Sequence, residues 1–243
     1  MTDFAPPYRG ELTVMQIAAG MNAATSNAVR LIEDADLLLA NSRWPSAVSM
    51  AALAVEESGK VVILRRFLTA QKEEIKGLWR DYRTHTRKNQ NWVLPGLVSG
   101  GARKIEDFRI IADRESDHPL LLDTMKQLGF YSDCLGNAHW SIPSEVIDQK
   151  LASELVKVAK ILAPQRNISI LELELWAKHV RPVWSGSVTQ IKAAVANWYG
   201  DMQLFGLAPV GENLMHAFLN DGLTSNQAAR LSKKDLPPSG ADA

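Results

Sequence analysis

The spacing of apolar residues along the first part of the chain predicts a series of amphipathic helices. From about Thr13 to Ala40 apolar residues recur at steps of three and four, which places them on one face of a helix. A second helix is predicted to begin at Trp44-Pro45, to carry small residues on its packing face and to end at Gly59. A third segment, Val61 to Lys88, keeps helical register either as one helix or as two with a bend near Thr69.

Turn-forming residues separate the later elements. The segment Asn89–Gly101 contains a proline and three glycines and is predicted to be a loop. A helix is predicted to open at Asp117-His118-Pro119 and to close near Gly129. The stretch Tyr131–Pro143 carries a turn signal and is predicted to be irregular, and Ser144 is a suitable N-cap for the helix that follows.

No segment shows a convincing strand alternation, and there is no repeat of fixed period, so an all-α helical bundle is predicted. The best boundary is Pro164-Gln165-Arg166-Asn167. It divides the chain into a helical domain over 1–163 and a C-terminal helical extension over 164–231. The residues 232–243 are rich in Lys, Pro, Gly and Asp and are predicted to be a disordered tail.

Composition narrows the class of protein. Lys+Arg and Asp+Glu both total 27, so a whole-protein field that attracts nucleic acid is not expected, and any such binding requires a local patch. Cys134 is the only cysteine, which excludes an intrachain disulfide and a cysteine-built zinc site. The apolar runs are too short to cross a bilayer, and the N-terminus does not resemble a secretory signal. A cytoplasmic protein without membrane contact is therefore expected.

The densest polar cluster runs from Trp79 to Asn89. Asp81 and His85 are four residues apart, so on a continuous helix they would share a face and the carboxylate could orient the imidazole. Arg80 and His85 are five apart, which is about 140° of rotation on an ideal helix. They would converge only if the arginine reaches round, the helix distorts or a second subunit completes the site.

These residue types suit the cleavage of RNA without a metal ion. A histidine can act as the acid or base, and an arginine can bind the phosphate through its planar fork. Between Arg65 and Asn91 there are eight basic and three acidic residues, a net charge of +5. The same pattern is also typical of a solvated helix face, and both interpretations stay open at this point.

A second cluster, Glu56-Glu57-Ser58-Gly59-Lys60, is predicted to be a structural ion-pair cluster of Glu56, Glu57 and Lys60. The alternative is that one glutamate faces inward and holds a basic residue of the next helix. A carboxylate-bridged metal pair would need Glu-x-x-His spacings on helices, and the single such spacing, Glu115 to His118, lies in a predicted loop. No metal and no cofactor are therefore expected, and no nucleotide-binding or nucleophile-elbow motif is present.

Three segments together resemble the AbiV family of abortive-infection proteins. Members of this family have a leucine-rich helix end, a turn, and an alanine-rich helix that ends in Glu-Glu-x-Gly-Lys. A His-x-x-Lys region and a Lys-Gln-x-Gly-x-Tyr-x-Asp stretch follow. Here these read Asp36-Leu37-Leu38-Leu39, Ser42-Arg43-Trp44, Ala47–Val55, Glu56–Lys60, His85-Thr86-Arg87-Lys88 and Met125–Asp133 followed by Trp140 and Pro143.

The resemblance implies a HEPN-like helical domain over roughly Thr13–Ala163. Many HEPN toxins are similar in an Arg-x(4–6)-His motif, which Arg80 to His85 fits with Asp81 in second place. Such domains commonly dimerise and cut RNA without metal. The resemblance thus implies a homodimeric defence effector with Arg80, Asp81 and His85 as catalytic residues. Secondary RNA contacts are expected from Arg83, Arg87, Lys88 and Asn89.

The expected partners are a second copy of the chain, RNA or the translation machinery, and a phage-encoded activator. The effector would act as a ribonuclease or as a toxin that blocks translation. The alternative function is a non-catalytic helical module that binds a phage protein, RNA or the translation apparatus.

Overall fold

A computed structural model describes residues 5–164 and 166–232 and shows an all-α architecture, which confirms the predicted fold class. The first part contains α1 (Val14–Ala40), α2 (Trp44–Arg66), α3 (Ile75–Arg83), α4 (His85–Lys88), α5 (Leu94–Ser99) and α6 (Arg109–Ala112). Next come α7 (His118–Phe130), a hairpin of β1 (Asp133–Leu135) and β2 (His139–Ser141), α8 (Pro143–Val146) and α9 (Gln149–Leu162). The chain continues with α10 (Ile170–Val180), α11 (Val188–Leu204), α12 (Leu214–Asn220) and α13 (Ser225–Ser232). Short 3₁₀ turns lie at Lys72–Glu74, Asn89–Asn91, Ile105–Phe108 and Arg181–Val183.

Helices α1 and α2 form an antiparallel pair against which other helices pack. Thr13 and Gln16 form a capping box that starts α1, and Pro45 lies in the first turn of α2. The C-terminal half of α1 packs on the N-terminal half of α2, and the reverse holds at the other end. The buried face of α2 includes four alanines, two serines and a glycine, and these small residues let the two backbones approach closely.

Two apolar clusters lie along this pair. One is completed by α7 and α9 through residues such as Leu122, Leu155 and Val156. The other is completed by α3 and by the start of the C-terminal part, through Trp79, Ile168 and Leu173. None of the helices in the described part of the chain combines the length and the apolar character needed to cross a bilayer.

The structure corrects the predicted end of the second helix. Helix α2 does not stop at Gly59 but continues to Arg66. A Cβ at Gly59 would overlap the carbonyl oxygen of Lys88, so this glycine is needed because the backbone of α4 crosses α2 here. The third predicted segment is divided, because α2 ends at Arg66 and α3 begins at Ile75.

We expect Gly59→Ala to destabilise the protein by roughly 1–3 kcal/mol, because the added methyl group must push α4 away from α2. Urea denaturation measures this change. Gly77→Ala is the matched control, since nothing lies within 4 Å of a Cβ at that helical glycine. That variant should be stabilised by about 0.5–1 kcal/mol through the lower entropy of its unfolded chain. Equal effects of the two substitutions would show that α4 does not lean on Gly59.

Three further predictions of local structure are wrong. The segment Asn89–Gly101 is not only loop, because it contains a 3₁₀ turn and helix α5, with Pro95 in its first turn. The stretch Tyr131–Pro143 contains the β1–β2 hairpin, whose three-residue strands are too short to show an alternation. The cap of α9 is Asp148, whose side chain accepts from the Leu151 N–H, because Ser144 lies inside the separate helix α8.

The C-terminal part packs against the first helices. Asn22 of α1 exchanges two hydrogen bonds with the backbone of Ile168, at 3.0 and 2.8 Å. Arg65 of α2 forms an ion pair of 2.6 Å with the buried Glu172 of α10. The boundary after residue 163 stays a prediction. Of the predicted disordered tail, Ser232 is the last residue of α13, and residues 233–243 lie outside the described residues.

Candidate functional site

A buried carboxylate organises the polar centre of the bundle. Glu56 lies in the middle of α2, is only 3% exposed and points toward α4 and α7. Its Oε1 accepts a hydrogen bond from Lys126 Nζ at 2.7 Å, and its Oε2 lies 2.9 Å from Lys88 Nζ and 2.7 Å from His85 Nδ1. One carboxylate therefore holds three basic side chains from two other elements.

Two glycines allow these basic side chains to reach Glu56. Gly59 lies one turn further along α2 and accommodates the backbone of Lys88. Gly129 plays the same part between α7 and α2, because a Cβ there would overlap the Pro45 carbonyl oxygen and the Ser49 hydroxyl. The Ser49 hydroxyl donates to the Lys126 carbonyl oxygen at 3.0 Å and fixes the register of α7.

The charges in this centre stabilise one another. Burial by itself would raise the pKa of Glu56, but hydrogen bonds from Lys126, His85 and Lys88 outweigh it and lower that pKa below its ordinary value. Burial would lower the pKa of Lys126, but the carboxylates of Asp123 and Glu56 outweigh it and raise that pKa. Glu56 is thus a permanent anion at neutral pH and Lys126 a permanent cation.

Glu56, His85 and Asp123 also offer three ligand atoms within 4.8 Å of one another, as a metal site would. The ammonium of Lys126 lies among them, 2.7 Å from Glu56, 2.6 Å from Asp123 and 3.4 Å from His85 Nδ1. A divalent ion at this point would have to displace a buried cation that already neutralises both carboxylates. The donor set therefore fits an ion-pair network better than a metal centre.

His85 is the most exposed member of this centre. Its side chain is 57% exposed, whereas those of Glu56, Lys88 and Lys126 are 3%, 8% and 5% exposed. Glu56 accepts from Nδ1–H in the tautomer that the contact favours, and Nε2 has no hydrogen-bond partner among the described residues. An exposed imidazole oriented by a buried carboxylate is an arrangement suited to general acid or base chemistry.

Asp81 does not orient His85, contrary to the prediction. The chain is extended at Thr84, so α3 ends before His85 and the two residues do not share a continuous helix face. The Thr84 hydroxyl donates to the Arg80 carbonyl at 2.8 Å and supports this break. Asp81 is 6% exposed and pairs with Arg66 at 3.2 Å instead.

Arg80 lies on the solvent side of α3, on the other side of the Thr84 break from His85. Among the residues that the structure describes, its guanidinium forms no hydrogen bond or ion pair. This side chain is therefore available to a ligand.

The four residues predicted to give secondary RNA contacts lie in different environments. Lys88 and Asn89 are 7% and 1% exposed, because Lys88 pairs with Glu56 and Asn89 donates to the Pro119 carbonyl. Arg83 donates to the backbone of Trp79 and Tyr8 and stacks over the Trp79 ring at 5.0 Å. Of the four, Arg87 is partly exposed and lines a cleft. The burial of Lys88 and Asn89 corrects their expected position at the surface.

The pair of glutamates is divided in its roles. Glu57 forms the intrahelical ion pair with Lys60 at 2.6 Å. Glu56 points the other way and binds basic residues of α4 and α7, which was the alternative interpretation of this segment.

A family model described as AbiV, of the HEPN group, matches residues 16–164. The chain belongs to the AbiV family. This is an abortive-infection, HEPN-type family, and membership confirms the resemblance inferred from the sequence. Neither the curated proteins nor the solved structures include a match to the chain.

Within this AbiV-family chain, Lys126 and Asp123 are the members of the Glu56 centre that sequence reasoning missed. A signal for Lys126 was present. Leu122, Lys126 and Gly129 recur at helical spacing on the buried face of α7, so the lysine stands where an apolar residue is expected. A lysine on a buried face needs a carboxylate partner, and Glu56 supplies one from 70 residues away.

Proposed function

We propose that this AbiV-family protein is an antiphage defence effector that cleaves RNA without a metal ion, with His85 as the acid or base. The observation that carries the proposal is the contact of 2.7 Å between His85 Nδ1 and the buried Glu56, together with the exposure of the same imidazole. A ring held in one orientation with its other nitrogen in solvent is prepared for proton transfer to a ligand.

In the proposed reaction, His85 Nε2 takes the proton of a ribose 2′-hydroxyl. The 2′ oxygen then bonds to the adjacent phosphorus as the bond from phosphorus to the 5′ oxygen breaks, and the leaving 5′ oxygen takes a proton from water. The products are a 2′,3′-cyclic phosphate and a 5′-hydroxyl. Glu56 fixes the tautomer and stabilises the imidazolium that forms, as a positioning residue rather than a group that touches RNA.

Arg80 is the proposed phosphate clamp, because its exposed guanidinium can donate two parallel hydrogen bonds to phosphate oxygens. The break at Thr84 separates Arg80 from His85 along the chain. A homodimer in which Arg80 of one subunit approaches His85 of the other would complete the site, and we propose that assembly.

A mixing experiment tests the ribonuclease and the shared site together. We expect purified wild type to cleave RNA, and Arg80→Ala and His85→Ala each to fail when alone. Each mixed dimer would contain one intact composite site, so unfolding and refolding the two variants together should restore roughly a quarter of wild-type activity under random pairing. The measurement is the rate of cleavage of a labelled single-stranded RNA.

Two other outcomes are informative. If wild type cleaves RNA and the refolded mixture does not, either Arg80 and His85 of one site lie in the same subunit or the protein does not act as a dimer. Absence of cleavage by wild type, in a protein that still arrests phage-infected cells, would favour the non-catalytic binding module.

A further inference from the structure

An arginine-lined cleft contains none of the residues of the Glu56 centre. It has a volume of about 200 Å³ and is formed where the end of α2, α3, α4 and the segment after α6 meet. Its lining residues, which we call the arginine cleft, are Arg66, Asp81, Arg87, Gln90, Ala112 and Arg114.

The charges of the arginine cleft are not balanced. Its three arginines face a single carboxylate, Asp81, and that carboxylate is already engaged by Arg66 at 3.2 Å. Within residues 5–164 and 166–232, Arg87 and Arg114 form no ion pair or hydrogen bond through their side chains. Two guanidiniums without a counter-ion thus face one concavity, beside the side-chain amide of Gln90.

We propose that the arginine cleft binds a phosphate group, supplied either by the backbone of RNA or by a free nucleotide. Two arginine forks and an amide donor match the several oxygens and the negative charge of a phosphate. The volume is below the range of about 300–1,000 Å³ that is common for pockets enclosing a whole small molecule. It therefore suits one phosphate group, with the rest of the ligand lying outside.

Asp81 has a structural role in the arginine cleft. Its side chain holds Arg66 in the wall of the cleft, beside the two arginines proposed to bind phosphate, instead of orienting the imidazole. The RNA source of the phosphate rests on the proposed ribonuclease function, whereas the binding of a phosphate does not.

The test uses the full chain carrying His85→Ala, so that binding is measured without cleavage. Affinity for a fluorescein-labelled single-stranded RNA is measured by anisotropy over a series of salt concentrations, and affinity for adenosine 5′-monophosphate by calorimetry. We expect Arg87→Ala with Arg114→Ala to weaken RNA binding by about tenfold and to reduce the salt slope by about 0.7, as for the loss of one phosphate contact. Arg66 is left intact because it also holds the buried Asp81.

The control pair is Arg43→Ala with Arg181→Ala, which removes the same charge from exposed positions that do not line the cleft. Loss of adenosine 5′-monophosphate binding with unchanged RNA binding would support the site and identify a free nucleotide as its source. Unchanged binding of both ligands, or equal losses in the control pair, would overturn the proposal. Loss of RNA binding in a protein whose wild type never cleaves RNA would keep the site and reject the ribonuclease.

Discussion

Glu56→Ala is expected to lower the free energy of unfolding by roughly 3–5 kcal/mol, because it leaves buried cations without their carboxylate. Lys88 would lose its ion-pair partner, and Lys126 would keep only Asp123. The cavity left by the side chain adds to the loss. Urea denaturation followed by circular dichroism measures the change, and RNA cleavage should fall as well, since His85 loses its orienting contact.

Glu57→Ala is the matched control, at the next position of the same helix. Glu57 holds a single cation, Lys60, in a partly buried pair over one helical turn, so its removal should lower stability by no more than about 1 kcal/mol. Similar losses for the two substitutions would mean that Glu56 does not carry the network.

The Glu56 carboxylate is also expected to make the stability of the protein depend on pH in the acidic range. Its pKa in the folded state lies below the ordinary value of 4.5, so its stabilisation is present above that value and is lost as the pH falls through the folded pKa. The Glu56→Gln variant has an amide at this position, which does not gain a proton in this pH range. The stability difference between wild type and Glu56→Gln should therefore narrow from neutral pH to about pH 3. A constant difference would show that the ionised carboxylate is not what stabilises the centre.

His85→Ala is expected to reduce the rate of RNA cleavage by about 10²–10⁴-fold, the usual contribution of general acid–base catalysis. Stability should change little, because the side chain is 57% exposed and Glu56 keeps both lysines. This separation between activity and stability distinguishes a catalytic from a structural histidine. The measurements are single-turnover cleavage of a labelled RNA and urea denaturation.

His139→Ala is the control for this variant, because His139 is also exposed but lies on the β2 strand of the hairpin. It should keep wild-type activity and stability. Cleavage by His85→Ala at the wild-type rate would show that His85 does not take part in the reaction.

The helices themselves could largely be predicted from local pattern. Apolar periodicity gives α1, and Pro119 and Gly129 mark the two ends of α7. The error at Gly59 has a clear origin. A glycine after a helical run is usually read as a helix end, but here it admits the backbone of another element, and nothing local in the sequence distinguishes the two uses.

The centre of the candidate site could be predicted only in part. His85 and the two glutamates stand out in the sequence, but the partner of His85 is 29 residues away and Lys126 is 70 residues from Glu56. The expected pairing of Asp81 with His85 assumed an unbroken helix. Thr84, which bonds back to the Arg80 carbonyl, interrupts that helix and sends the two side chains to different partners.

The most direct test of the central claim is the chemistry of the RNA ends produced by purified wild type in the presence of a strong chelator. We expect cleavage that continues without divalent ions, is lost in His85→Ala, and leaves 2′,3′-cyclic phosphate and 5′-hydroxyl ends. Fragments with 3′-hydroxyl and 5′-phosphate ends, or cleavage that stops when the chelator is added, would contradict it.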